Sequence, residues 1–178
     1  MAGEWRHRTI TSTFLAAPDR TGLLTAKMLA YAAAGALLSL IVTLAIMIVS
    51  TVILSARGFE TAPFSDAVDV LWRNLLVAAF AGALGVGIGA VLRNQVVAVI
   101  GLLFVAFVLE PTLLGLAPEV GRFGPTTGAP SGIIDAEPFG GDGSGVLLGP
   151  LAAVGVMLGW IALLFAAGAA RLHSGDLV

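Results

Sequence analysis

The chain has 178 residues, 58% of them hydrophobic and only 11% charged, with a mean hydropathy of +1.00. A soluble domain of this length needs roughly a quarter of its residues charged to keep its surface wet, so most of this chain is expected in lipid. Nine Lys/Arg against eleven Asp/Glu give a net charge of -2, which leaves no basic stripe to neutralise phosphates and sets nucleic acid aside as a partner. Cysteine is absent, which removes disulfides, thiolate metal sites, iron–sulfur ligation and thiol nucleophiles together.

Residues Glu4 to Lys27 read as helix, break, helix. Trp5, Ile10, Phe14 and Ala17 form a weak apolar stripe, Pro18 ends the run, and Asp19 is placed to cap the second helix. A helix running on from Arg20 to Leu54 is about 50 Å long at 1.5 Å per residue, more than the bilayer core, so its first turns are expected to project beyond the membrane. Two readings fit the Trp5 to Ala17 segment. One is an interfacial helix with Trp5 at the aromatic belt and Arg6 and Arg8 against anionic membrane lipid; the other is a docking surface for a cytoplasmic partner.

Four apolar stretches are each long enough to cross a hydrocarbon core as a helix of about 20 residues: Ala32 to Leu54, Asn74 to Leu92, Gln95 to Ala117 and Val146 to Ala170. None carries a charge at its centre. Only Arg93 and Asn94 separate the second from the third, which predicts a tight helical hairpin. The polar segment ahead of the first stretch is too long and mixed for a signal-peptide n-region, so the first helix is expected to stay as an anchor. The N-terminal segment, the Arg93 turn and the C-terminal tail hold Arg6, Arg8, Arg20, Lys27, Arg93 and Arg171, while the other side holds Arg57, Arg73 and Arg122 among many carboxylates. The positive-inside bias then puts both termini in the cytoplasm. The expected fold class is therefore all-α: a multi-pass protein of the cell membrane with four transmembrane helices and a short cytoplasmic N-terminal helix at 4–20. Eight Arg against the single Lys27, with an excess of Ala, Gly and Val, suggest a GC-rich bacterial genome and hence a bacterial inner membrane.

Within the third stretch Glu110 precedes Pro111. A carboxylate inside an apolar helix costs several kcal/mol unless it is paired, protonated or near water, and this one falls about 22 Å from the helix's inner end. One reading is a proline kink with Glu110 near the headgroups, paired with Arg73 or Arg122. The other is a polar group on a translocation path or gate. The outer loop from Pro118 to Gly145 is rich in Gly and Pro and reads as flexible, although Ile133-Ile134 and Phe139 leave room for short segments that dip into the outer leaflet. Gly85 and Gly89, Gly155 and Gly159, and Ala78 and Gly82 have the four-residue spacing that lets helices approach closely, within one subunit or between two. Trp160 reads as packing.

Four pieces of the chain resemble a known family. They are Glu4-Trp5-Arg6-His7-Arg8-Thr9-Ile10-Thr11-Ser12-Thr13-Phe14-Leu15 with Pro18-Asp19-Arg20 and Lys27; Gly85-Val86-Gly87-Ile88-Gly89-Ala90-Val91-Leu92-Arg93-Asn94-Gln95; Val108-Leu109-Glu110-Pro111; and Val120-Gly121-Arg122-Phe123-Gly124-Pro125. In this order they resemble the membrane subunit of an ABC exporter of the ABC-2 permease type: its cytoplasmic loop before the third helix, its fourth helix and following turn, the outer part of its fifth helix, and the start of its outer loop. Members usually carry six membrane helices, and this chain begins where the third is about to start. The resemblance implies either an upstream start or a four-helix relative, with residues 1–178 forming a single permease membrane domain.

The resemblance also implies a transport mechanism. A separate cytoplasmic ATPase subunit would grip the short N-terminal helix, with Glu4, Arg6, Thr9, Phe14 and Arg20 as the coupling contacts. The permease would work as a homodimer or heterodimer, with ATP held by the partner and no cofactor held by this chain. Lys27 is followed by Met28, so no P-loop exists here to hydrolyse ATP. His7 and His173 sit in the terminal segments with no His-Glu-x-x-His helix, and both are expected across the membrane from Ser144, which argues against metal or serine hydrolysis. Asp135, Glu137 and Asp142 lack the remaining ligands of a calcium loop. The expected function is thus a transmembrane permease without bond chemistry of its own; the alternative is a small four-helix membrane protein that anchors or binds a partner without transport.

Overall fold

The computed structural model describes residues 20–61, 63–92, 94–136 and 147–173. Its long segments are apolar around their whole circumference rather than along one stripe, which suits a helix surrounded by lipid, where every backbone N–H and C=O must be satisfied within the segment. Four helices span: α1 Arg20–Ala56, α2 Phe64–Leu92, α3 Gln95–Leu116 and α6 Pro150–His173, with two short helices, α4 Pro118–Gly121 and α5 Gly128–Ile134, between α3 and α6. Among the described residues there is no strand. The chain is an all-α polytopic membrane protein, and four crossings bring Arg20 and His173 to the same side. That side is called inner, after the charge bias.

The expected hairpin between the second and third spans is present: the Asn94 side chain caps α3, accepting from the N–H groups of Val96 and Val97 at 3.0 and 3.3 Å. The second helix starts ten residues before the expected Asn74, and for a physical reason. Asp66 and Asp69 lower the hydropathy of its first turns, but Asp69 accepts from the Trp72 indole at 2.7 Å and pairs with Arg73 at 2.8 Å, and the i,i+3 and i,i+4 spacings of these contacts are helical.

Helices α1 and α2 meet backbone to backbone. A Cβ placed on Gly35 would land on the Ala78 carbonyl, and one on Gly82 would land on the Tyr31 carbonyl. Ala78 and Gly82 thus do what their spacing predicts, and they do it within one chain. Further out, Asn74 Nδ2 donates to Thr43 Oγ1 at 3.4 Å, which places a polar tie on the same seam. Two buried clusters are stacked along the bundle. The inner one joins Leu24 and Met28 of α1 to Val86 and Ala90 of α2 and Leu172 of α6; the outer one joins Leu84 to Ala129 and Ile133 of α5 and to Ala153 and Met157 of α6. Helix α3 contributes to neither.

Candidate functional site

Because α3 stands outside both clusters, an apolar cleft of about 800 Å³ separates it from α2 and α6. Val77, Leu84 and Ile88 line one wall, Leu102 and Leu109 the opposite one, and Met157 and Trp160 the back. The segment from Val120 to Pro130 closes its outer end, where Glu110 and Thr126 are also found.

Helix α3 reaches this roof through an irregular turn. Pro111 has no N–H and its ring crowds the carbonyl one turn back. The helix accommodates it by widening to π geometry over Val105–Leu109, with the Glu110 N–H bonded to the Val105 carbonyl. Thr112 Oγ1 donates to the Val108 carbonyl at 2.6 Å, satisfying an acceptor that the distortion disturbs. The expected kink is therefore a π-turn immediately before the proline, and it aims Glu110 inward, with 2% of its surface exposed.

The expected ion pair is not what holds that carboxylate. Neither Arg73 nor Arg122 pairs with it among the described residues. Instead Glu110 accepts three backbone N–H groups: Thr126 at 2.9 Å, Thr127 at 2.6 Å and Gly128 at 3.2 Å. These donors open α5, whose first N–H groups have no partner inside the helix. A buried carboxylate and orphan backbone donors, each costly alone, satisfy one another. Gly124 is required beside them, because a Cβ there would strike the Glu110 carboxylate.

Arg73 serves the other end of the same short helix. Its guanidinium donates to the Ile133 carbonyl at 3.3 Å, stays 2.8 Å from Asp69 and lies 3.7 Å from Asp135. Asp135 closes α5 with a left-handed backbone, φ 59°, which Asp adopts more readily than most residues. A third tie comes from α6: Trp160 Nε1 donates to the Phe123 carbonyl at 2.9 Å. The loop expected to be flexible is therefore, from Pro118 to Ile134, a helical cap tied to three spanning helices. Ile133, one of the two apolar insertions noted in the sequence, is fully buried under it.

Of the residues expected to couple to an ATPase, Glu4, Arg6, Thr9 and Phe14 lie outside the described residues, and Arg20 opens α1. Glu137, Asp142 and Ser144 also lie outside them. The sequence named Arg73 only as a direct partner of Glu110 and Trp160 only as packing, and it missed the Thr126–Gly128 donors altogether. The Asp69, Trp72, Arg73 spacing carried a signal that Arg73 is helical; no local pattern revealed that its far side meets Ile133. No protein-family model, curated protein or solved structure matches the chain.

Proposed function

We propose that the chain is the transmembrane subunit of an ATP-driven exporter of the ABC-2 type, driven by a separate cytoplasmic ATPase. The observation that supports this reading best is α1. At 37 residues it is about 55 Å long, well beyond the hydrocarbon core, and its seam with α2 is a backbone contact with no compliant side chain between. A push on the inner end of α1 therefore moves α2, and α2 forms one wall of the cleft. In this mechanism the ATPase binds the Trp5 to Ala17 segment, with Glu4, Arg6, Thr9, Phe14 and Arg20 at the contact. ATP binding biases the α1–α2 pair toward an open arrangement, a shift of population without bond chemistry in this chain. Glu110 is the catch of the outer gate, released from Thr126–Gly128 when the cap lifts.

The test is association and coupling. A P-loop ATPase co-purifies with the full chain, and its ATP turnover changes when the two are reconstituted together. Phe14→Ala lowers coupled transport about tenfold or more, the effect of losing one buried anchor, while the chain's level in the membrane is kept. A chain that never associates with an ATPase, and leaves its turnover unchanged, sinks the reading and leaves partner anchoring in its place.

A further inference from the structure

The cleft poses a question that is independent of ATP coupling: what fills it. Empty apolar space is penalised in proportion to its volume, since the lining atoms lose their contacts. At about 800 Å³ the penalty of a void would exceed the net stability of an ordinary domain. The protein's own side chains do not fill it, because a Cβ on Gly85 of α2 or on Gly101 of α3, both in the lining, would meet nothing within 4 Å. Collapse of α3 onto α2 is opposed at both ends, by the capped Asn94 turn and by the Glu110 latch. Water is unsuited to walls this apolar: Glu110, Thr126 and Trp160 bring the lining's polar side chains, and the carboxylate and the indole are already bonded.

We propose that the cleft is a lipid site, holding one long acyl chain of a bilayer lipid that enters sideways between α3 and α6. Three features select this occupant. The lining follows α2 from Val77 to Leu92, about 22 Å along the helix axis, so the slot runs lengthwise beside a spanning helix as bilayer chains do. Its side is accessible, because α3 packs on α2 and on the cap without extended packing on α6. Its polarity is confined to the outer end, where Glu110, Thr126 and Trp160 lie, as a bilayer lipid's ester region lies outward of its chains.

The experiment uses the full chain in phosphatidylethanolamine and phosphatidylglycerol vesicles containing a phosphatidylcholine with a photoreactive acyl chain. Label is expected on Ile88, Leu102 and Leu164, lining residues that are only partly buried, above the level on Ile48, a lipid-facing residue of α1. It is expected to fall to the Ile48 level when Gly85→Phe and Gly101→Leu fill the slot. Cleft labelling no higher than that of Ile48, or labelling that survives the filled variant, overturns the proposal. Because the chain has no cysteine, a Gly85→Cys/Gly101→Cys pair gives a second readout that does not depend on the bulky variant. A disulfide within one chain means that α3 closes the slot, and one joining two chains means that a second copy occupies it; either overturns the proposal, whereas two free thiols that lipid shields from aqueous reagent support it. No ATPase is present in these assays, so they stand or fall separately from the exporter reading.

Discussion

The α1–α2 seam and the outer cap hold helices together by opposite means. At the seam two backbones touch through Gly35 and Gly82, and dispersion between closely packed atoms does the work. At the cap, Glu110, Arg73 and Trp160 reach across from three spanning helices to backbone groups of the segment between Phe123 and Ile133. Close packing of this kind is rigid, because Gly35 and Gly82 each bring a carbonyl of the other helix to within contact with no side chain between. Hydrogen bonds to backbone groups at the mouth of a membrane protein can be exchanged for water one at a time. On the exporter reading proposed above, the seam would transmit motion and the cap would release.

The largest effect is expected where that contrast is sharpest. Gly82→Leu forces a side chain into the Tyr31 carbonyl, and separating the helices would undo both the seam and the inner cluster of Leu24, Met28, Val86 and Ala90. The variant is expected to fail to accumulate in the membrane. Gly101→Leu, the same change at an open position, is expected to accumulate as the parent does. Equal levels for the two would mean that the seam is not the rigid element.

Glu110 comes next. Glu110→Ala leaves three N–H groups of the cap without their acceptor, a loss of about 3 to 5 kcal/mol, read as a fall in the thermal midpoint of the detergent-solubilised protein. Glu110→Gln keeps one carbonyl oxygen toward the same donors and is expected to lose less than half as much. If both variants are equally mild, the cap does not depend on this latch. Gly124→Ala tests the same geometry from the other side: its methyl group competes with the carboxylate for space, and its penalty should largely vanish in the Glu110→Ala background, the signature of two residues acting at one contact.

A smaller change is expected at Trp160. Trp160→Phe removes a single hydrogen bond to the Phe123 carbonyl while keeping most of the ring, at a loss of about 1 kcal/mol. The result sharpens the comparison through coupling. If the cap moves as a unit, the Trp160→Phe and Glu110→Ala effects are less than additive, because the second tie has little left to hold once the first is gone.

The two regions also differ in how plainly the sequence announces them. The spans are legible in apolar length, and the Ala78, Gly82 spacing marks one small-residue helix face, since four residues return to the same side, although that spacing does not by itself say what packs there. The Arg93-Asn94 turn is equally local. The cap is different because each of its ties joins residues far apart in the chain: Glu110 meets Thr126 to Gly128, Arg73 meets Ile133, and Trp160 meets Phe123. Charge alone suggested that Glu110 would find Arg73 or Arg122, but backbone N–H groups carry no residue-type signature, so an acceptor satisfied by them leaves no trace in the sequence. The early start of α2 was obscured for a related reason. Asp66, Asp69 and Arg73 read as loop polarity until their helical spacing is weighed against it.

The smallest effect is expected on α6, and it bears on how the chain assembles. Gly155 and Gly159 have the same four-residue spacing as Ala78 and Gly82, yet a Cβ on either meets nothing within 4 Å. The identical pattern thus marks a packed seam in one helix and an open face in another. Burial within the chain would have made Gly159→Ala costly. Here it is expected to leave the stability of the isolated chain unchanged or to raise it by about 0.5 kcal/mol, read as a thermal midpoint that is unchanged or slightly higher, since alanine loses less backbone freedom in a helix than glycine. If Gly159→Ala lowers the midpoint in proportion to a loss of dimer on size-exclusion chromatography, the open face is occupied by a second copy in the membrane. With no change in either, the face belongs to lipid, and the two glycines on α6 only allow bilayer chains to approach its backbone.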